Sequence, residues 1–263
     1  LNVLVFLYCV LLSKEKIEGI EIAPKLLLHD IKNIFELNKK ETTKHLKELK
    51  KHNLKIVSMQ SLFFDAKDCY LFQSTKQRSN FVNHLTQIIR LAKKLGIKNL
   101  VFGSPKNRII PSDMKYIEAE KIAIKVFKKI GKIAKLNNIY LSIEPNPKEY
   151  GTNFLNTIHQ TYDFVKKVKS KNIKIILDVG SILMNLENKE IDRIIKKCIN
   201  LINHVHISEP YLKLIQNKNF IKKVTSSLKK YNYQKWISIE MRAHKSNNYI
   251  NVVKAIKLVK NYI

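Results

Sequence analysis

Residues 139–178 read IYLSIEPNPKEYGTNFLNTIHQTYDFVKKVKSKNIKIILD. The stretch begins and ends in short apolar runs of strand-forming character, IYLSIE (139–144) and IKIILD (173–178), each closed by a carboxylate. Between them, from Asn153 to Val168, apolar residues recur three and four positions apart, the spacing of an amphipathic helix. Strand, helix and strand in this order form a βα unit whose two strands run parallel.

The same alternation continues in both directions. IEGIEIA (17–23), LKIVSMQ (54–60) and KNLVFGS (98–104) come before this unit, and INHVHIS (202–208) and WISIE (236–240) after it. Helical patterns fill the intervals, at Phe81–Leu95, Lys115–Leu136, Lys189–Ile199, Lys218–Tyr231 and Ile250–Ile263. Repeated βα units in a chain of 263 residues predict an α/β fold of the TIM-type (β/α) barrel, which takes roughly 250 residues. No linker rich in Pro, Gly or Ser divides the chain, so residues 1–263 are expected to form a single domain. An eighth strand is needed for closure. The apolar stretch Leu1–Val10 is separated from Ile17 by residues 11–16 alone, whereas a parallel crossover takes about a dozen residues. Leu1–Leu12 is therefore expected to be helical, and residues 1–16 to form a shortened, irregular first unit.

Composition narrows the functional classes. Cys9, Cys69 and Cys198 have no metal-finger or disulfide-framework spacing, which fits a reducing cytoplasm. The apolar start is too short to span a bilayer and lacks the flanks of a secretory signal. A net charge of +28 suits a nucleic-acid partner. Only five of the 49 basic residues are arginine, however, and the lysines sit on polar helix faces such as Lys44–Lys51. A joint excess of Lys, Ile and Asn is what an AT-rich genome produces without selection for binding, so nucleic acid is not the expected partner.

Barrel chemistry gathers at the carboxyl ends of the strands. Glu144, Asp178, His206 and Glu240 occupy that place on four consecutive strands. Three carboxylates in one mouth repel and raise one another's pKa unless a cation lies among them, so the pattern implies one bound divalent metal. An oxygen-rich set with one imidazole favours Mn²⁺ or Mg²⁺ and also admits Co²⁺ or Zn²⁺. His204 is expected to alternate away from His206 and face the helices. Lys106 and Arg108, in the loop after the third strand, are either substrate-binding groups or surface charges. Glu21, Gln60, Asn146 and Arg242 lie at or beside strand ends and are candidates for contact with a polyol, Glu21 being equally able to pair with a lysine.

GIEIAPK (19–25), VSMQSLFF (57–64), LVFGSPKNR (100–108), LSIEPNPKEYGTNFL (141–155), LDVGS (177–181), HVHISEP (204–210) and ISIEMR (237–242) resemble the sugar phosphate isomerases and epimerases of the xylose isomerase-like TIM-barrel group. The resemblance runs from about Ile17 to the C-terminus, and its FGSPKNR and EPNPKEYGTNF segments are the most specific. It implies metal ligation by Glu144, Asp178, His206 and Glu240 and a metal-dependent isomerase or epimerase of a sugar or sugar phosphate. In such an enzyme the ion polarises the carbonyl and an adjacent hydroxyl, while Glu144 and Glu240 move protons through an ene-diolate. Two departures stand out. Ketose 3-epimerases of the group carry a histidine where this chain has Ser181, and the group begins with a full strand and helix before the segment matching GIEIAP. The alternatives that the resemblance leaves open are an apurinic-type DNA-repair endonuclease, which looks richer in strand-end histidines, and a non-catalytic barrel.

Overall fold

A computed structural model describes residues 3–28, 33–244 and 246–263. Its sheet contains β1 (Gly19–Ile22), β2 (Lys55–Met59), β3 (Asn99–Phe102), β4 (Tyr140–Ile143), β5 (Ile173–Asp178), β6 (Ile202–Ile207) and β7 (Ile237–Ile239). They are hydrogen-bonded in chain order and every neighbouring pair is parallel. Each lies inside a segment expected to be a strand. Helices α1 (Val3–Lys14), α2 (Pro24–Leu27), α3 (Lys39–Lys51), α4 (Thr75–Leu95), α5 (Tyr116–Asn137), α6 (Ile158–Val168), α7 (Val179–Met184), α8 (Ile191–Cys198), α9 (Lys218–Lys230) and α10 (Asn248–Lys260) complete a nearly closed (β/α) barrel. None of them is long and apolar enough to cross a membrane, among the described residues.

Local chemistry sets the element ends. Ser74 and Gln77 form a capping box at the start of α4, and Gly96 ends that helix in the left-handed conformation that glycine adopts without a Cβ clash. Helix α6 begins at Ile158, later than the Asn153 expected from periodicity, because Thr157 and Gln160 form its capping box. Asn153 is used elsewhere: its side chain accepts from the Ile110 N–H (2.7 Å) and donates to the Ile110 carbonyl (2.9 Å), strapping two mouth loops together.

Alternate residues of each strand face outward and inward. The outward set includes Phe102, Leu141, Ile143, Ile175, Leu177, Val205 and Ile207, all buried under the helices. Edge-to-face and tilted ring contacts carry this layer from Phe81 through Phe102 and Phe127 to Phe164. Complete burial of each such side chain stabilises the fold by roughly 1.5–3 kcal/mol. Several inward side chains are polar. Asn99 Oδ1 accepts from Ser142 (2.6 Å) and Asn203 (2.7 Å), while its amide donates to Ser58 (2.8 Å), forming a satisfied network below the mouth.

As expected, the apolar N-terminal stretch is helical over its described residues, α1 packing Cys9 and Leu12 against Leu49, Leu54, Ile20 and Ile56. Strands β1 and β7 are the sheet edges and do not pair with each other among the described residues. Between them, flanked by α1 and α10, runs a groove of about 770 Å³. At its far end the Trp236 ring approaches Gly19, where a Cβ would lie 2.7 Å from Val57 Cγ1 and 3.0 Å from Trp236.

Glu187, in the turn after α7, carries a pH dependence of its own. Burial pushes its carboxyl up to about 7, an effect that a backbone hydrogen bond from Ile158 opposes and Glu190 reinforces. A raised folded-state pKa means that Glu187 contributes stability below its ordinary value of 4.5, which is lost as pH rises through about 7. Thermal melts at about pH 5 and about pH 8 should show Glu187→Gln gaining stability relative to the parent at the higher pH. An identical gap at both pH values would contradict this assignment.

Candidate metal centre

The register that pairs Asp178 with His206 and His206 with Ser238 brings the strand ends of β5, β6 and β7 to one level. Glu144 joins them, its backbone N–H bonded to Phe102 O across from β3. One ligand atom from each of Glu144, Asp178, His206 and Glu240 lies within 4.8 Å of all the others. The four residues expected to act together therefore converge.

His206 is fully buried at the centre. Its Nδ1 lies 3.0 Å from Glu144 Oε1 and 3.1 Å from Glu240 Oε2, and its Nε2 lies 3.0 Å from Glu21 Oε1. Burial disfavours the imidazolium, yet the carboxylates of Glu21 and Glu240 and the hydrogen bonds to Glu144 and Glu21 raise its pKa well above the ordinary value. Asp178 shifts the other way from a paired carboxylate: burial and the nearby Glu144 raise its pKa against the pull of His206. Asp178 is held on two sides, accepting from the Ser181 N–H (2.6 Å) as the N-cap of α7 and from the Ser208 hydroxyl (2.5 Å).

These residues fit a divalent cation. Nδ1 can carry one proton, yet two carboxylates press on it while a third stands within reach, so one imidazole proton cannot satisfy the anionic charge gathered there. The surroundings also preserve the opening. A Cβ on Gly103 would collide with Glu144 Oε2, so glycine at this place leaves room for the carboxylate. Asn146 donates to Glu144 Oε2 (3.2 Å) and is itself held by Asn156, which donates to the Asn146 carbonyl (2.8 Å).

The mouth above the cluster is a pocket of about 380 Å³, lined in part by Gln60, Lys106, Asn146, Tyr150, Phe64 and Leu212. Gln60, Lys106 and Asn146 thus stand where substrate contact was expected. Four other residues are placed differently from expectation. Arg108 is completely buried rather than offered to a substrate: it donates to the Glu144 carbonyl (2.8 Å) and stacks over Phe102, 5.5 Å from its centroid. Glu21 turns into the barrel beneath His206 rather than toward the mouth, and Arg242 lines the groove beside β1 and β7. His204 faces inward with His206, since residues two apart on a strand share a face. Its Nε2 lies 2.7 Å from Ser238 Oγ, and burial, opposed by Glu21, lowers its pKa to about 4.

Sequence reading passed over Tyr150, Ser208 and Gly103. Tyr150 lies in the EPNPKEYGTNF segment, on a short helix rather than at a strand end, and reaches the mouth because Gly151 turns the chain with φ of 82°. Ser181 lines the mouth too, but its hydroxyl is spent on the Pro145 carbonyl (3.0 Å).

Residues 11–262 match the family described as "Xylose isomerase-like TIM barrel". No curated protein matches the sequence. Among solved structures, the fold is similar to a D-psicose 3-epimerase with D-tagatose from Clostridium cellulolyticum H10, with a TM-score of 0.79 and 13% identity over 98% of this chain and 93% of that one. A family 2 AP endonuclease from Brucella melitensis has a TM-score of 0.68 and 16% identity over 95% and 91% of the two chains. The IolI protein with a bound zinc atom has a TM-score of 0.69 and 17% identity over 100% and 95%.

Proposed function

We propose that this chain, which belongs to the xylose isomerase-like TIM-barrel family, is a divalent-metal-dependent isomerase or epimerase of a sugar or sugar phosphate. The observation that carries the reading is the convergence of Glu144, Asp178, His206 and Glu240 at the floor of a pocket of about 380 Å³, a volume suited to a small polar ligand. Sugar epimerases among the similar folds support the substrate class, and the zinc-bound IolI structure supports the ion.

Glu144, Asp178, His206 and Glu240 would hold the ion, Mn²⁺ or Mg²⁺ by the hardness of three carboxylates, with Co²⁺ or Zn²⁺ admitted by the imidazole. When bound, it supplies a Lewis acid that steadies negative charge developing on the substrate oxygens. Glu144 and Glu240 approach His206 Nδ1 from different strands. One accepts the proton from a carbon beside the carbonyl, leaving an ene-diolate, and the other delivers a proton. Delivery to the neighbouring carbon isomerises the sugar, whereas delivery to the opposite face of the same carbon epimerises it. Gln60, Asn146 and Lys106 line the walls where hydroxyls or a phosphate would lie. Phe64, Leu212 and Tyr150 also line the pocket.

The runner-up, an abasic-site nuclease, would need more strand-end imidazoles than the one, His206, that the four-residue group holds; the neighbouring group of Glu21, His204 and His206 adds His204, whose Nε2 faces Ser238 Oγ. The test is a panel of sugars and sugar phosphates incubated with metal-loaded protein in deuterated water. The expected result is conversion of one class of sugar with deuterium entering at the reacting carbon. Cleavage of abasic DNA at physiological salt with no sugar turned over would overturn the proposal.

A further inference from the structure

The mouth pocket is chemically two-sided. Gln60, Asn146 and Lys106 offer it hydrogen-bonding groups, while Phe64, Val101 and Leu212 line it with apolar surface. Phe64, in the loop after β2, is 61% exposed although its neighbours Leu62 and Phe63 are buried. Leu212, in the loop after β6, is set by its backbone. Tyr211 and Leu212 have φ of 60° and 55°, the only adjacent pair of non-glycine residues in the left-handed region among the described residues. Such a conformation is strained for a residue with a Cβ and persists only where the surroundings over-determine it. Here they do. The Tyr211 N–H donates to the Tyr150 hydroxyl (3.1 Å), the Leu212 N–H donates to the Glu209 carbonyl (2.9 Å), and the Leu212 carbonyl accepts from the Arg242 N–H (2.7 Å). Loops after β4 and β7 thus pin Leu212 at the pocket.

We infer that Leu212 and Phe64 are specificity residues that select an unphosphorylated sugar, packing against its C–H surface while Gln60 and Asn146 bond its hydroxyls. The inference rests on the functional reading above and narrows its substrate class. The charges around the pocket point the same way. Lys106 is the only Lys or Arg among the described residues that line it, and its side chain is exposed. Arg108 is buried behind Glu144, and Arg242 lines the other groove. An ion pair made by an exposed lysine strengthens binding by no more than about fivefold, whereas a phosphate gives up strongly held water and needs several donors in its place. Phe64 and Leu212 have no side-chain donor to give. A free sugar brings no charge to desolvate, and a single methylene contact in an apolar pocket discriminates by about 10–200-fold.

The test measures turnover and calorimetric binding of matched aldoses and ketoses, each with and without a terminal phosphate, on Mn²⁺-loaded wild type, Leu212→Gly, Leu212→Lys and Phe64→Ala, with thermal melts alongside. Wild type should favour the free sugar by at least about tenfold, in kcat/KM and in affinity. Leu212→Gly removes the side chain while relieving the backbone, so its melting temperature should not fall. Its KM for the free sugar should nevertheless rise about tenfold with kcat nearly unchanged, the sign of lost uniform binding. Phe64→Ala should act in the same direction, and Leu212→Lys should narrow the preference against phosphate. A lower melting temperature with unchanged KM in Leu212→Gly would make Leu212 merely structural and overturn its part. Preference of wild type for the phosphate ester would overturn the inference and leave the isomerase reading standing. Free sugar bound with the expected preference but never turned over would support the inference and refute the catalytic reading, and no free sugar bound or turned over would overturn both.

Discussion

Glu144→Gln and Glu240→Gln will each lower kcat by at least about a hundredfold, the low end of what a positioned acid or base supplies. Both side chains sit at the rim of the buried cluster, Glu144 at 15% exposure and Glu240 at 16%, beside a mouth that admits a ligand. Amide replacements preserve shape and an oxygen that can face the ion, but they cannot accept a proton from carbon. The measurement is steady-state turnover of the sugar identified by the panel, with ion content checked on the same samples. Unchanged turnover in either variant would remove that glutamate from proton transfer. A parallel loss of ion would instead assign the effect to ligation.

Arg108→Ala should destabilise the fold by about 3–5 kcal/mol, the usual cost of removing a large buried side chain or one partner of a buried polar contact. Arg108 is enclosed beside Phe102, and its single hydrogen bond holds the backbone of Glu144. Burial lowers the guanidinium pKa to about 10 despite the opposing pull of Glu144, consistent with a cation removed from water. Two of its nitrogens, Nε and Nη1, have no hydrogen-bond partner, so much of its worth is packing. Arg108→Met should therefore retain most of the stability that Arg108→Ala loses, because it refills the volume without a charge to bury. Urea unfolding of both variants decides between packing and charge. Equal losses would show that the hydrogen bond to Glu144 dominates.

The strands were legible because short, largely apolar and β-branched runs such as IKIILD alternate with longer amphipathic segments, and because acids end IYLSIE, IKIILD and WISIE abruptly. The same abruptness placed Glu144, Asp178 and Glu240 at one end of the barrel. Side chains whose direction depends on distant partners were harder to place. Arg108 looked like a mouth residue because its loop follows a strand, but the buried carbonyl of Glu144 draws it under the site. Glu21 lies within β1 and turns into the barrel, where it meets His206 of β6, a contact that no spacing in the sequence announces. His204 needed only the two-residue period of a strand, applied correctly. The interior network of Ser58, Asn99 and Ser142 left no sequence signal, since single polar residues in strands read equally well as solvent-facing.

Diffraction from crystals soaked in Mn²⁺, recorded to give the anomalous signal of that ion, tests the metal site most directly. The account predicts one strong peak about 2.0–2.6 Å from a ligand atom of each of Glu144, Asp178, His206 and Glu240, with His206 presenting Nδ1. No peak there at saturating Mn²⁺, or a peak that excludes two or more of these four side chains, would contradict it.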